Sequence, residues 1–176
     1  MTTSTSKIAA ELADREAIRE CLARYARGVD RLDADMVRSA YWPDCTDEHL
    51  SFRGNAEEFI DWSFTAMGTM DQTMHLVCNV LMAINGESAD VESYFYGIHR
   101  INNAEGGKQD VIGAGRYVDR FEKRDDEWRI KDRLVVTDWF REYPDSADWS
   151  KGMLGIMIEP GRRHPDDESY RRITLD

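Results

Sequence analysis

The chain of 176 residues contains only 4 prolines and no run of a single residue type, which excludes disordered and low-complexity architectures. Its three cysteines, Cys21, Cys45 and Cys78, are an odd number and form no C-x-x-C pair. Reduced thiols in a cytoplasmic protein are therefore expected. No apolar run approaches the roughly 18–20 residues of a membrane span. The opening Met-Thr-Thr-Ser-Thr-Ser-Lys has no apolar segment behind it and does not read as a secretory signal. Basic charge is in deficit, with 23 bases against 34 acids and a net charge of −11. Such a field repels phosphate backbones and anionic lipid, so neither nucleic acid nor a membrane is an expected partner. Also missing are G-x-S-x-G, a phosphate-binding glycine loop, H-E-x-x-H, a dinucleotide fingerprint and any internal repeat.

What remains is the composition of one globular domain, 41% hydrophobic and long enough to bury a sizeable core. Ile18, Cys21, Leu22, Tyr25, Ala26 and Val29 recur at helical period, predicting a first helix capped by Asp14 and ending at Gly28. Asp33 caps a second helix with Met36, Val37 and Ala40 inward, stopped at Tyr41-Trp-Pro43. Cys45–Phe52 reads as a short strand. Asn55 and Glu58 form a capping-box start for a third helix carrying Phe59, Trp62, Ala66 and Met67. From about Thr73 the period becomes alternating, over Met74–Ile84, Ala89–Asn102, Gln109–Lys123 and Trp128–Phe140. The turns between them are Asn85-Gly86, Glu105-Gly106-Gly107 and Asp125-Asp126. Four strands joined by short turns require an antiparallel meander, and helices followed by strands predict an α+β fold. Twist curls such a sheet, so three helices on one face would close a cone-shaped roll with a pocket at its mouth. Residues 1–141 make that roll, and 142–176 an arm or flap of the same domain or a partly ordered tail.

The polar residues that alternation points inward are the candidates for chemistry. His99 shares a covered face with Val91, Ser93, Phe95 and Gly97. His75 lies on a strand that reads as apolar on both faces. A two-residue hairpin at Asn85-Gly86 sets His75 near Tyr96 and His99 near Gln72. Both histidines read either as hydrogen-bonded core or as acid–base groups. Asp30 reads as a turn residue or as a carboxylate partner, and Tyr25 as core whose hydroxyl needs a partner. His49, His164 and the row Arg129, Lys131, Arg133 read as surface. Two histidines and a carboxylate are also a known metal-ligand set. Metal-free acid–base chemistry without a cofactor is the expectation.

Asp14-Arg-Glu-Ala-Ile-Arg19 with Tyr25 and Asp30, then Tyr41-Trp-Pro-Asp44, Met74-His75 and Ser93-Tyr-Phe-Tyr-Gly-Ile-His-Arg100 together carry a resemblance. Over residues 7–141 the layout resembles the SnoaL-like group of the nuclear-transport-factor-2-like, cystatin-like superfamily. That group includes scytalone dehydratase, hexachlorocyclohexane dehydrochlorinase, bile-acid dehydratases and polyketide cyclases. The resemblance implies that Asp30 and His75 are a catalytic dyad, with His99 and Tyr25 as further catalytic groups and Tyr41 contacting substrate. His99 stands where bile-acid enzymes would carry a pocket Asp, so the polar equipment is nearer to scytalone dehydratase. The implied activity is a cofactor-independent lyase, of the dehydratase type, on a small aromatic or cyclic carbonyl compound. Tyr25, Tyr41, Trp42, Trp62, Phe95 and Tyr117 read as its aromatic lining or as plain core. Alternatives are an isomerase or cyclase of the same fold, a ligand-binding module, or the non-catalytic small subunit of a ring-hydroxylating dioxygenase. A homo-oligomer, dimer or trimer, is the assembly implied.

Overall fold

The computed structural model describes residues 2–145, 150–157 and 159–174. Helix α1 (Thr2–Arg31) is followed by α2 (Ala34–Ala40), β1 (Tyr41–His49), β2 (Phe52–Gly54) and α3 (Ala56–Met67). The long strands β3 (Gln72–Asn85), β4 (Ser88–Asn102), β5 (Lys108–Arg124) and β6 (Glu127–Pro144) come next, and α4 (Ser169–Arg172) is a single turn. One six-stranded sheet, in the order β2-β1-β6-β5-β4-β3, curls under the helices without closing. The expected α+β roll is what forms. Among the described residues, no helix is long and apolar enough to cross a membrane.

Local chemistry sets most boundaries. The Asp33 carboxylate accepts the Met36 N–H at the start of α2, and Asn55 with Glu58 completes the expected capping box of α3. Asp14 is not a cap. It lies inside α1, where its carboxylate takes the Trp128 indole N–H at 2.8 Å and the Lys123 ammonium at 3.0 Å, tying the helix to the β5–β6 hairpin. Asp30 likewise belongs to the last turn of α1 rather than to a following loop. Ile18, Leu22, Tyr25 and Val29 from α1 pack against Val91, Tyr117, Phe121, Trp128 and Ile130 on the sheet, forming one contiguous core.

Bulges in β3 and β6 decide which residues face that core. In β3 the pairing runs His75↔Gly97 and Val77↔Phe95, then shifts by one residue before Val80↔Ser93. Thr73, His75 and Val77 therefore point inward on one side of the bulge, and Val80 and Met82 on the other. Because side chains alternate at period two, a single inserted residue exchanges the faces. This is why the strand looks apolar on both faces, yet Met74, Leu76 and Leu81 are exposed. The hairpin itself closes with Asn85 opposite Ser88, which alone would set His75 against Ile98; the bulge takes one residue back, so His75 pairs with Gly97 rather than Tyr96, and His99 with Thr73 rather than Gln72. In β6 one extra residue is Lys131, between the pairs Phe121↔Ile130 and Arg120↔Asp132, and a second is Asp138, between Gly115↔Thr137 and Ala114↔Trp139. By the first of these Arg133 is turned inward, opposite Asp119, and is not part of a solvated row. A further feature invisible to the meander reading is β1, which runs parallel to β6 across a long connection.

Candidate active site

The last turn of α1 brings Asp30 beside the start of β3. Its Oδ2 accepts the backbone N–H of His75 at 2.7 Å, and its Oδ1 lies 2.8 Å from His75 Nδ1. Burial works to raise the Asp30 carboxyl, but the His75 ring, the His75 backbone N–H and the Thr73 hydroxyl outweigh it and hold the group below its ordinary value. Asp30 is thus an ionised acceptor, and a carboxylate can only be met by a donor. Nδ1 must carry a proton, so in the neutral imidazole the lone pair is on Nε2.

Register places His99 diagonally across from His75, since Thr73 pairs with His99 and His75 with Gly97. The two imidazoles meet edge to face with centroids 5.2 Å apart. Burial, and after it the neighbouring His75, pulls His99 down to about 4, so it is a neutral ring at physiological pH. The Val111 backbone beside it favours the charged ring but does not offset burial. Between the histidines the sheet is bare. A Cβ on Gly97 would stand 3.1 Å from His99 Cε1 and 3.3 Å from His75 Nε2. Gly113, directly opposite Gly97, would meet nothing within 4 Å. The two histidine rings thus close over Gly97, and Gly113 opposite it leaves open space on the inner face.

Further along the interior lies a second polar cluster. Arg133 and Asp119 form a two-pronged ion pair at 2.8 and 2.7 Å with no solvent exposure on either side chain. The guanidinium is sandwiched 4.1 Å from the Tyr25 ring and 4.2 Å from the Tyr117 ring. Tyr41 donates its hydroxyl to buried Asp47 at 2.6 Å. The other oxygen of Asp47 lies 3.6 Å from His49 Nδ1, too long for a hydrogen bond, and both atoms are buried without a partner. His49 is no surface residue. It stacks on Phe59 at 5.3 Å and faces Trp62 at 5.9 Å.

The structure thus brings together Asp30, His75 and His99. Tyr25, Tyr41 and Tyr117 cluster around Arg133, with Phe95 stacked on Tyr117 at 4.6 Å and Trp62 at the edge beside His49. Trp42 stands apart. Its indole N–H donates to the Glu122 carbonyl, nine residues along β5 from Gly113 and roughly 30 Å away at the rise of a strand. Two surface grooves, of about 780 and 980 Å³, lie elsewhere. One crosses the helix-free face of the sheet at Leu81, Val118 and Leu134, and the other runs between α1, α2 and the C-terminal arm. Neither touches the dyad. Among the described residues, no group of three or more His, Cys, Asp or Glu is arranged to hold a metal ion.

Asp119, Asp47, Thr73 and Arg163 were not among the expected site residues. Asp119 had a signal: it falls on the same alternating face as Tyr117 and Phe121, and a charge there needs a buried partner.

The family model described as the SnoaL-like domain matches residues 10–134. The chain belongs to that family. Comparison with curated proteins finds no match. Among solved structures, this SnoaL-like chain superimposes on a type 2 hexachlorocyclohexane dehydrochlorinase with a TM-score of 0.69 at 19% identity, covering 85% of this chain and 95% of the other. A candidate scytalone dehydratase from Novosphingobium aromaticivorans gives 0.69 at 18% identity, covering 92% and 99%. A protein of unknown function with a cystatin-like fold, from Nostoc punctiforme, gives 0.56 at 20%, covering 72% and 92%. At these identities the likeness is one of fold, and it places the SnoaL-like chain in the nuclear-transport-factor-2-like, cystatin-like architecture expected from its sequence.

Proposed function

We propose that the protein is a lyase that removes a proton from the carbon next to a carbonyl group in a small aromatic or cyclic compound and expels a hydroxyl group as water. One observation carries this reading: the ionised Asp30 holds His75 with Nδ1 protonated and the lone pair of the neutral ring on Nε2, over Gly97 and with open space at Gly113 opposite it. Nε2 takes the α proton while Asp30 stabilises the imidazolium that forms. The enolate electrons then form the carbon–carbon double bond as the β carbon–oxygen bond breaks. His75 returns its proton to the departing hydroxyl, so one imidazole serves as base and then as acid, and no charge is left over.

Neutral His99 plays the complementary part. A neutral imidazole has one donor and one acceptor nitrogen, and the acceptor orients a substrate hydroxyl. A positioned acid–base group of this kind supplies about 10²–10⁴ in rate, enough for an already acidic C–H bond. Membership of the SnoaL-like family and the dehydratase and dehydrochlorinase names among its structural neighbours support the same chemistry.

The test is proton exchange in D₂O, following loss of the α C–H signal across a panel of aromatic and cyclic ketones by NMR. Exchange that disappears in His75→Ala, with the fold retained, is the expected result. Exchange surviving within a few-fold in that variant would overturn the assignment. The first product formed from an exchanging β-hydroxy ketone then separates elimination from isomerisation, which begin with the same deprotonation.

A further inference from the structure

The C-terminal arm is not a loose tail. Over residues 161–173 it runs along the end of α1. The His164 N–H donates to the Arg31 carbonyl at 2.7 Å, the Tyr170 hydroxyl to Asp33 at 2.7 Å, and Gln72 Nε2 to the Gly161 carbonyl at 3.1 Å. Asp167 gathers the arm's own turn, accepting the Arg162 N–H at 2.9 Å and facing Arg31 at 3.7 Å. The apolar segment Gly152–Ile158 contributes exposed Met153, Leu154, Ile156 and Met157, and its last residue lies outside the described residues.

We propose that Arg163 of this arm is a positioning residue for the Asp30–His75 pair and acts through the hydroxyl of Thr73. The inference rests on the reading of that pair as the catalytic dyad. Arg163 is half-buried, and one of its terminal nitrogens donates both to the Asp30 backbone carbonyl and to Thr73 Oγ1, the latter at 2.7 Å. The other reaches the Met70 carbonyl at 3.4 Å. Two consequences follow from the donor and acceptor capacities of these groups.

First, a helix leaves its last carbonyls without intrahelical partners, and those of Asp30 and Arg31 are satisfied from the arm by Arg163 and the His164 N–H. A cation at this end also suits the helix dipole. The backbone from which the Asp30 side chain departs is thereby fixed. Second, a threonine hydroxyl has one hydrogen and two lone pairs, whereas a guanidinium has only donors. With Arg163 on a lone pair, the Thr73 hydrogen is directed elsewhere, and the hydroxyl is one of the groups holding the Asp30 carboxyl in its charged form. Arg163 thus orients Thr73, Thr73 orients the carboxylate, and the carboxylate selects the His75 tautomer. Thr73 is itself buried.

A role in merely fastening the arm is separated by a measurement that needs no substrate. Full-length ¹⁵N-labelled protein is studied at neutral pH by long-range ¹H–¹⁵N correlation of its imidazoles, with His75→Gln supplying the assignment. The wild type is expected to show His75 as a single Nδ1–H tautomer with a slowly exchanging proton. Arg163→Gln and Thr73→Val should each speed exchange of that proton about tenfold, the worth of one hydrogen bond to a charged group. The double variant should go no further than the stronger single one, because both break the same chain of contacts. Arg163→Lys should recover part of the protection.

Thr73→Val keeps the arm's contacts through His164 and Tyr170 and removes the hydroxyl that Arg163 holds, so it tests the same chain of contacts even if Arg163→Gln does not fold. Wild-type exchange in Thr73→Val, or effects that multiply in the double variant, would overturn the proposal. Should His75→Ala prove active, the functional reading falls, yet the tautomer measurement still reports whether the arm sets the geometry of the pair.

Discussion

Replacing Asp30 by Asn removes one charge and exchanges one oxygen for an NH₂ group at a position where both oxygens are in use. Oδ2 accepts the His75 backbone N–H, a donor that cannot be reversed, and Oδ1 faces Nδ1. If the amide oxygen stays with the backbone, the NH₂ faces Nδ1 and forces the proton onto Nε2, the nitrogen required as base. If the amide flips, its NH₂ collides with the backbone N–H. The first arrangement costs less, and a dyad held in the wrong tautomer is worth roughly 10⁴ in rate where the same exchange has been made in a serine-protease triad. Stability should suffer as well, because a buried charge-assisted hydrogen bond is worth about 1.5–3 kcal/mol. For a chain of this length that is a fall of about 4–9 °C in thermal midpoint. The sign of its pH dependence is fixed by the lowered Asp30 carboxyl. The wild-type advantage is complete above about pH 4 and is lost as pH falls through the native value, which lies lower still. The assays are α-proton exchange in D₂O and urea unfolding at several pH values. Exchange within a few-fold of wild type in a folded Asp30→Asn protein would refute the reasoning.

Three other outcomes are expected. Gly97→Ala sets a methyl group 3.1–3.3 Å from both histidines, so α-proton exchange should fall about tenfold while the thermal midpoint moves by only a few degrees; unchanged exchange would show that the rings do not border the reacting space. Asp119→Ala leaves the fully buried Arg133 charge uncompensated and should cost about 3–5 kcal/mol in denaturant unfolding, much of it recovered in an Asp119→Leu, Arg133→Met double variant. His99, held at about 4 in the native state, binds a proton more readily once unfolded, so wild-type stability should fall between about pH 6.5 and 4 by on the order of 3 kcal/mol. In His99→Gln that part of the slope should vanish, and an unchanged slope would contradict the burial argument.

The sequence by itself determined the element types and their order. Helical period in the first half, alternation in the second and short polar turns between the strands suffice for an antiparallel meander under helices. The capping box at Asn55 and Glu58 and the cap at Asp33 are local chemistry, legible because donor and acceptor lie within three residues. Asp30, His75 and His99 could be singled out from the pattern and from family likeness, since each falls at a recognisable place along the chain. Which face each strand turns to the core was decided only in the tertiary structure. Extra residues in β3 and β6 exchange the faces, and nothing local in Cys78-Asn79, Lys131 or Asp138 announces a bulge. The bulge at Lys131 turns Arg133 toward Asp119, and the bulge in β3, with the hairpin closure at Asn85 and Ser88, sets His75 opposite Gly97. The same holds for Arg163 with Thr73, 90 residues apart in the chain. Periodicity reports on neighbours along a strand or helix, whereas pairing between distant charges depends on the path of the whole chain, which only the packed fold fixes.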